Sequence, residues 1–390
     1  MAGFDDELTE SAQAVGRRSG LDAVGVATAE VFAGTRVDLQ QRKADGLHGG
    51  MKFTYKNPVR STNPFAALAG ARALVVGAVS YRRSDPERPP GPTGRVARYA
   101  WGDRYAPLRA GLGAIAEELR GRGWRALVFA DDNSVVDREA AYRAGIGWYG
   151  KNANLLLPDR GSWFVLGSVV TDAPLRGAPA PVADGCGRCT RCIPACPTDA
   201  IVAPGVIDAR RCLAWLVQAP GSIAPEYRVA LGDRVYGCDE CQESCPPNQR
   251  SDRRAVLPGP EPGDAPWVSL LEWLRLTDAE LMARHGRWYI ADRHPRHLRR
   301  NALVALGNVG DPEAGEVVAA VSDALLHDDA LVRGHAVWAA GRLGLTGLLG
   351  ELRHTEGDPG VRAEIALVDS GAVPVRSRDA HGGGHAAYNA

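Results

Sequence analysis

Apolar side chains in the first half of the chain alternate between helical spacing and short continuous runs. Leu8, Ala12 and Val15 lie on one face of a predicted helix over residues 5–19, which stops before Gly20. The other predicted elements are a helix through Leu108, Leu112, Ile115 and Leu119, a helix over 137–144, and strands over 73–81, 124–130 and 163–171. This alternation indicates an open α/β sheet.

The last third of the chain has a helical pattern and contains an internal repeat. Residues 299–310 align with 333–344 at an offset of 34 residues. A second match is the pattern Asp329, Val332 and Arg333, which recurs as Asp358, Val361 and Arg362. Two or three such units predict a short helical-repeat module of the HEAT type.

Segments rich in Pro and Gly separate these parts. Residues 82–95 are predicted to form a loop, and 173–185 and 257–266 are predicted to be linkers. We therefore expect four parts: an α/β domain over 1–180, a cysteine-bearing domain over 181–256, a helical repeat over 267–378 and a disordered tail over 379–390.

Composition and charge exclude several classes of protein. The 390 residues are 45% hydrophobic and 24% charged, which is ordinary globular usage. Lys plus Arg and Asp plus Glu number 46 each, so any site for a polyanion must be local. The acidic N-terminus lacks the apolar core of a secretory signal, and no run of about 18 apolar residues predicts a membrane span. We expect a cytoplasmic protein without membrane attachment.

All eight cysteines lie between positions 186 and 245, which points to metal rather than to disulfides. Cys186, Cys189, Cys192 and Cys196 precede Pro197 in the spacing C-x2-C-x2-C-x3-C-P, which bacterial ferredoxins use for iron–sulfur clusters. The alternative is a pair of zinc sites, but zinc ribbons use separated pairs of cysteines and do not explain the third cysteine or the Cys-Pro.

A second set of cysteines is a variant of the first. Cys212 is followed by 25 other residues and then by Cys238, Cys241 and Cys245, with Pro246 after them. In two-cluster ferredoxins the fourth cysteine of each run binds the other cluster. The pattern thus predicts two [4Fe–4S] clusters with crossed ligands: Cys186, Cys189, Cys192 and Cys245 for the first, and Cys196, Cys212, Cys238 and Cys241 for the second. Two adjacent clusters carry single electrons.

Polar residues follow the predicted strand 124–130. Asp131 comes directly after it, and the carboxyl ends of strands are where open α/β sheets bind ligands. A Gly-rich segment with a lone lysine, Lys151, follows. The alternative is that Asp131 and Asp132 merely cap the next turn, and the pattern alone does not decide between the two.

The segments around these residues resemble one enzyme family. DDNSVVDREAAYRAGIGWYGKNANLLLPDRGSWFVLGSVVTDAPL, CGRCTRCIPACPTDAI, DARRC and YGCDECQESCPPN are similar to epoxyqueuosine reductases, over roughly residues 50 to 310. The resemblance implies an enzyme that uses cobalamin and two [4Fe–4S] clusters to reduce epoxyqueuosine to queuosine at the wobble position of tRNA. It also implies a cobalamin-binding α/β domain, a ferredoxin-like domain and a C-terminal helical repeat, in that order.

The resemblance also assigns roles to residues of this chain. It places the proton-donating aspartate at Asp131 and implies contacts to cobalamin from Arg60, Tyr105, Asp131, Leu155, Leu166, Gly221, Ser222, Cys241 and Gln242. Asp379, His381 and Gly384 spell D-x-H-x-x-G, the pattern that supplies a histidine ligand to cobalt. Only six residues follow it, so we interpret it as a chance match and expect base-off cobalamin without a protein histidine.

An Arg-rich segment is the candidate tRNA contact. Residues 284–300 contain six arginines against one acid, with Trp288 and Tyr289 between them. Guanidinium groups suit phosphate and aromatic rings suit splayed bases. The predicted tRNA contacts are Arg293, Arg296, Arg299, Arg300 and Arg333, and the alternative is a solvated helix face.

Partners and competing functions complete the prediction. We expect a monomer that takes electrons from a low-potential donor such as a flavodoxin or a ferredoxin. One alternative is a corrinoid iron–sulfur reductase of a small molecule, similar to reductive dehalogenases, and another is a ferredoxin-type electron carrier. The lack of a twin-arginine signal and the helical repeat disfavour the first, and the large N-terminal domain disfavours the second.

Overall fold

The computed structural model describes residues 3–254 and 256–376. Two units make up the fold: the first is drawn from Met1–Pro86, Ala97–Leu216 and Cys238–Ala265, the second from Glu87–Val96, Val217–Gly237 and Pro266–Ala390. The cysteines therefore share a unit with the N-terminal sheet, and the units do not follow the predicted boundaries at 181 and 256. The predicted tail over 379–390, with its D-x-H-x-x-G pattern, lies outside the described residues.

The strands are short and alternate with helices along the chain. They are β1 (Ala23–Thr28), β2 (Ala73–Ser80), β3 (Thr93–Val96), β4 (Ala126–Ala130), β5 (Trp148–Tyr149), β6 (Leu155–Leu156), β7 (Phe164–Thr171), β8 (Ile201–Ala203), β9 (Val206–Ile207), β10 (Arg234–Tyr236) and β11 (Trp267–Ser269).

Helices dominate the last third of the chain. The α-helices are α1 (Asp6–Arg18), α2 (Ala33–Ala44), α3 (Pro58–Ser61), α4 (Pro64–Ala67), α5 (Tyr105–Gly121), α6 (Asp137–Arg143), α7 (Leu213–Leu216), α8 (Pro225–Leu231), α9 (Glu240–Glu243), α10 (Pro246–Arg254), α11 (Leu270–Arg275), α12 (Asp278–His285), α13 (Arg296–Val309), α14 (Gly315–Leu325), α15 (Ala330–Leu343), α16 (Leu352–Thr355) and α17 (Pro359–Asp369). Short 3₁₀ helices lie at Arg98–Ala100, Ala291–Arg293 and Thr346–Leu349. Within the described residues, no helix has the length and apolar character needed to cross a bilayer.

The first unit is built on a four-stranded sheet with the order β1-β2-β7-β4. Every neighbouring pair is antiparallel, so the binding rule for the carboxyl ends of parallel strands does not apply here. Hydrophobic runs locate strands, but they do not encode which strands pair. Because β2 and β4 both run opposite to β7, their carboxyl ends still meet at one edge of the sheet.

The sheet is covered by helices that the apolar pattern predicted. α1 and α5 pack on one face through Leu8, Leu112 and Ile115, and α6 packs on the other face through Ala140. The Asp5 side chain accepts a hydrogen bond from the N–H of Leu8 at 2.8 Å and so caps α1. This layering exposes the edge at which β2 and β4 end.

The second unit contains a three-stranded sheet with the order β10-β3-β11. Its central strand, β3, lies inside the segment predicted to be a loop over 82–95, so that prediction is wrong for its last residues. Gly94 explains how this strand fits: a Cβ there would lie 2.5 Å from a side-chain carbon of Val235 on β10. The prolines that precede this short strand made the whole segment resemble a loop in the sequence.

The predicted repeat is confirmed in the second unit, where its two copies form α13 and α15. Gly307 and Gly341 occupy equivalent positions in the two copies. Gly307 allows Trp338 of α15 to pack closely against α13, and Gly341 allows Val368 of α17 to pack closely against α15. The repeated aspartates are N-caps: Asp329 accepts from Leu331 and Asp358 accepts from Gly360 and Val361. The repeated residues are therefore those that begin the helices and those that allow the helices to pack closely.

Buried histidines make the second unit sensitive to acid. His297 is 1% exposed, and its Nδ1 has no hydrogen-bond partner in the described part of the chain. Burial, followed by the charges of Arg300 and Arg296, lowers its pKa from 6.5 to about 4. As the pH falls, the unfolded chain therefore binds a proton at this histidine at a higher pH than the folded chain does. The free energy of unfolding decreases once the pH drops below the unfolded pKa.

We predict that His297→Leu weakens the acid sensitivity of this unit. The wild-type free energy of unfolding should fall by about 1 kcal/mol more than that of the variant between about pH 7 and about pH 5.5. Thermal unfolding at both pH values measures the difference. His354→Leu, at an exposed position, is the control and should behave like wild type. Equal acid sensitivity of His297→Leu and wild type would contradict the assignment.

Candidate active site

The first predicted set of cysteines comes together in the structure. All eight cysteines are free thiols. Cys186, Cys189, Cys192 and Cys245 line one cavity of about 80 Å³. A hydrogen bond from the N–H of Cys189 to the carbonyl of Cys186, at 2.9 Å, closes the turn that holds the first two, and Cys245 lies just before α10.

The thiols of this set influence one another. Burial, followed by the charges of Cys186, Cys192 and Cys189, raises the pKa of Cys245 to about 11, against the lowering effect of a backbone hydrogen bond at Asn248. Burial also raises the pKa of Cys192, with Cys186 and Cys189 adding to the effect. Four converging thiolates repel one another unless a cation compensates them. The grouping matches the first predicted ligand set, including the crossed member Cys245.

The second set groups in the same way. Burial raises the pKa of Cys241 well above its ordinary value, and the charges of Cys238, Cys212 and Cys196 also raise it, together with Asp239. Burial and the charge of Cys196 likewise raise the pKa of Cys212. Cys196 accepts a hydrogen bond from the N–H of Ala200 at 3.2 Å, which is typical of a thiolate ligand held by backbone donors.

The first set of cysteines surrounds a cavity, and four thiols are the donor set of a [4Fe–4S] cube. In the part of the chain that the structure describes, no group of three or more His, Cys, Asp or Glu side chains is placed to hold one metal ion.

Asp131 occupies an unusual position after β4. Its φ of 57° lies in the left-handed region, where aspartate is one of the few residues with a Cβ that is enriched. Loss of solvation raises the pKa of its carboxyl; Arg109 opposes this rise, and Asp103 and Asp132 add to it. Its side chain reaches the surface and accepts no hydrogen bond from the described residues.

The capping alternative applies to the neighbouring residue. Asp132 accepts a hydrogen bond from the N–H of Ser134 at 2.7 Å and so stabilises the turn. Asp137 is the first residue of α6. Burial raises the pKa of Asp137 well above its ordinary value, and the charge of Asp131 contributes to this rise. The hydrogen bond that stabilises the turn thus uses Asp132 and not Asp131.

A hydrogen-bond network ties the cysteine segment to the same edge of the sheet. Gln242 Oε1 accepts from the hydroxyls of Tyr81 at 3.1 Å and Ser162 at 3.0 Å. Asn248 Nδ2 donates to Ser162 Oγ at 2.9 Å and to the carbonyl of Gln242 at 2.8 Å. Asn152 Nδ2 donates to the carbonyl of Cys241 at 3.0 Å. The two hydroxyls fix the amide of Gln242 with its oxygen towards the sheet.

The sequence did not single out Tyr81 or Asn248, which carry this network. Tyr81 directly follows β2 and ends its apolar run, so the sequence pattern indicated a core residue rather than a hydrogen-bond donor. Burial raises the pKa of Tyr81, and the phenol therefore stays protonated and able to donate. Tyr105, a predicted cobalamin contact, begins α5 and lies within electrostatic reach of Tyr81. The other predicted contacts in this unit are Arg60, exposed on α3, Leu155, buried on β6, and Leu166, half-buried on β7.

Ser222 belongs to the second unit, where buried side chains hold its loop. Arg300 Nη1 donates to the carbonyls of Ala219 and Gly221, at 2.7 and 2.5 Å. Arg228 donates to the Ser222 hydroxyl at 3.1 Å. His335 Nε2 lies 3.3 Å from the N–H of Ile223. The loop that carries Ser222 is thus fixed by side chains of this unit.

Three of the five predicted tRNA contacts bond to other groups of the protein. Arg300 is fully buried on backbone carbonyls. Arg299 is 6% exposed and bonds to Asp278 and to the carbonyl of Leu276. These two are corrected to structural residues, because sequence pattern does not reveal which face of a helix is buried. Arg333 is half-buried and forms a two-pronged ion pair with Glu356 at 2.8 and 2.9 Å.

Arg293 and Arg296 remain at the surface. Arg293 is exposed, and Arg296 is half-buried with its nearest carboxylate oxygens at 3.6 and 3.7 Å, on Asp292 and Asp329. Of the two aromatic residues, Trp288 is buried against Tyr236, with ring centroids 4.3 Å apart. Tyr289 is 50% exposed.

Comparisons with known proteins agree with this architecture. A family model described as a 4Fe-4S double cluster binding domain matches residues 185–248. Another, described as HEAT repeats, matches residues 288–368. Fold and site thus define a two-cluster iron–sulfur protein with a HEAT-repeat module, and the zinc alternative is set aside.

Similarity over most of the chain identifies the family. The epoxyqueuosine reductase of Xanthomonas campestris pv. campestris is 36% identical, over 84% of this chain and 94% of its own length. That of Bacillus subtilis is 32% identical, over 87% of each chain. A crystal structure of epoxyqueuosine reductase with a tRNA-TYR epoxyqueuosine-modified tRNA stem loop has a TM-score of 0.84 and 28% identity, covering 93% of this chain and 99% of that one. The chain belongs to the epoxyqueuosine reductase family, whose members are oxidoreductases.

The crossed ligand sets generate a test. We predict that Cys245→Ser and Cys189→Ser each remove the same cluster, so that the double variant retains as much iron and sulfide as either single variant. Cys196→Ser combined with Cys245→Ser should remove both clusters, because the two residues belong to different sets. Anaerobic iron and sulfide analysis measures this. Equal retention in the two double variants would contradict the crossed assignment.

Proposed function

We propose that this chain reduces epoxyqueuosine to queuosine at the wobble position of tRNA. Family membership and the clustering of the thiols support this function. The observation that carries it is Asp131, a surface carboxyl with a raised pKa at the sheet edge to which the cysteine segment is bonded. Opening and deoxygenation of the epoxide consume two electrons and two protons, form a carbon–carbon double bond and release the oxygen as water.

The proposed cofactors are two [4Fe–4S] clusters and base-off cobalamin. The clusters would be held by the two crossed cysteine sets and supply single electrons, and reduced cobalt would supply them to the substrate. Residues of the first unit fit a corrin: Leu155 and Leu166 are apolar, whereas Gln242 offers a neutral amide that suits the amide side chains of the corrin. The proposed cobalamin contacts are Arg60, Tyr105, Asp131, Leu155, Leu166, Ser222, Cys241 and Gln242.

Asp131 has a defined chemical task in this proposal. The oxygen that leaves the epoxide needs a proton, and a carboxyl can give one near neutral pH only if its pKa is raised. Partial loss of solvation and the nearby carboxylates Asp103 and Asp132 raise it here, and a ligand that excludes water would raise it further.

We predict that Asp131→Asn lowers turnover about a hundredfold or more, because the amide cannot donate the proton. Cluster content, cobalamin absorbance and tRNA affinity should stay at wild-type levels. Asp132→Asn is the matched control and should keep turnover within a few-fold. Wild-type kcat should fall as the pH rises through the raised pKa of Asp131. Near-normal turnover of Asp131→Asn would remove this residue from the role.

Substrate tRNA is proposed to contact the surface that carries Arg293, Arg296 and Tyr289. Two guanidinium groups at the surface suit phosphates, and an exposed phenol ring suits an unstacked base. The chain has no net charge, so this local arrangement must supply the attraction.

We predict that Arg293→Gln and Arg296→Gln each flatten the salt dependence of tRNA binding by about one unit of slope. Arg333→Gln is the control, and its slope should match wild type because Glu356 already neutralises this guanidinium. Affinities measured over a series of salt concentrations give the slopes. An unchanged slope in the first two variants would place the tRNA contact elsewhere.

A further inference from the structure

We propose that the surface around Cys189 binds a small acidic electron-carrier protein of the flavodoxin or ferredoxin class. The site is a ring of four basic residues, Lys151, Arg188, Arg191 and Arg250, called the basic rim below. This inference rests on the proposed function only in that the two cysteine sets hold redox clusters.

Exposure identifies where electrons enter. Cys189 is exposed, whereas the other seven cysteines are half-buried or buried. Cys245, in the same set, is 8% exposed. In the second set, whose members are all half-buried, the carbonyl of Cys241 accepts a hydrogen bond from Asn152. Because electron transfer weakens steeply with distance, an outside donor reaches the first set through the turn that carries Cys189.

Positive charge surrounds that turn. Arg188 and Arg191 flank Cys189 in the sequence and are exposed, and neither forms an ion pair within the described residues. Arg250, on α10, is exposed as well, and it lines the same cavity as Cys189. Lys151 Nζ donates to the carbonyl of Gly187 at 2.8 Å, which places a fourth cation over the turn.

Nearby acids offset this charge only in part. Asp184 accepts hydrogen bonds from the N–H groups of Cys186 and Gly187, at 2.8 and 3.2 Å, and so sets one negative charge against the four cations. Asp252, on α10, pairs with Arg82 at 2.7 Å. The rim is therefore a local positive patch on a chain whose formal net charge is zero.

The occupant favoured by these features is an acidic protein rather than RNA. The described residues that line the cavity include no aromatic side chain on which a base could stack. The centre of the patch is a cluster ligand, and charge complementarity steers a redox partner to such a centre. In each encounter the carrier is oxidised by one electron and the first cluster is reduced by one. Two encounters supply the two electrons of one epoxide reduction.

Charge reversal of the rim tests the proposal. Arg188→Glu, Arg191→Glu and Arg250→Glu are combined in the anaerobically reconstituted full-length enzyme, with Lys151 left in place because it holds the turn. The probe is a reduced acidic flavodoxin, and cluster bleaching is followed by stopped flow. We expect the second-order rate constant at low salt to fall about tenfold or more, and the difference to shrink as salt is added. Calorimetry with oxidised flavodoxin should show weaker binding.

Control variants distinguish weaker docking of flavodoxin from damage to the clusters. The corresponding Gln substitutions should give an intermediate rate, and Arg18→Glu, an exposed reversal on α1, should leave the rate unchanged. Reduction by dithionite and the iron and sulfide content should match wild type in all variants. If the triple variant loads clusters poorly, Arg250→Glu alone should still slow flavodoxin by a few-fold.

Several outcomes would overturn the inference. They are an unchanged rate and affinity for flavodoxin, a faster rate, an equal loss in Arg18→Glu, and a loss of tRNA affinity without a loss of flavodoxin affinity. None of these depends on substrate turnover. Failure of the proposed reductase activity would instead appear as absent queuosine formation with normal cluster reduction by flavodoxin.

Discussion

The cost of ionising buried cysteines side by side is the constraint on which the rest of this structure depends. Each set draws four cysteines together from segments that are distant in sequence, and burial alone would keep these thiols protonated. A cluster with iron charge reverses that preference, since it binds thiolates. Metal loading is therefore expected to stabilise the fold of the cysteine-bearing segments.

The crossed sets also explain why the cysteine segment is not a separate unit. Cys241 and Cys245 flank Gln242, whose amide is bonded to Tyr81 and Ser162 at the sheet edge. The residues that hold the clusters are thus bonded directly to the edge that presents Asp131. In the proposed reaction, the groups that supply electrons and the carboxyl that supplies a proton would belong to one continuous set of packed elements.

Sequence reasoning reached the parts of this fold that are encoded locally. Cysteine spacing predicts the ligand sets because a cube of fixed size accepts only a few chain geometries. The repeat is visible because Gly307 and Gly341 meet the same packing demand, and Asp329 and Asp358 the same capping demand. Features that depend on strand pairing and burial could not be predicted from the sequence. These features are the antiparallel order of the sheet, the presence of β3 within a Pro-rich segment, and the bonding of Arg299, Arg300 and Arg333 to other groups of the protein. A guanidinium in a sequence looks the same whether it meets phosphate or a backbone carbonyl.

Two thiol-held clusters and a cobalt macrocycle are proposed to act together on a modified tRNA. The decisive experiment is anaerobic reconstitution with iron, sulfide and cobalamin, followed by nucleoside analysis of tRNA that contains epoxyqueuosine. Queuosine should appear only when both cluster sets and the corrin are loaded and a reductant is present. Intact epoxyqueuosine after reduction of a fully loaded enzyme, or queuosine formation without the corrin, would refute the proposed function.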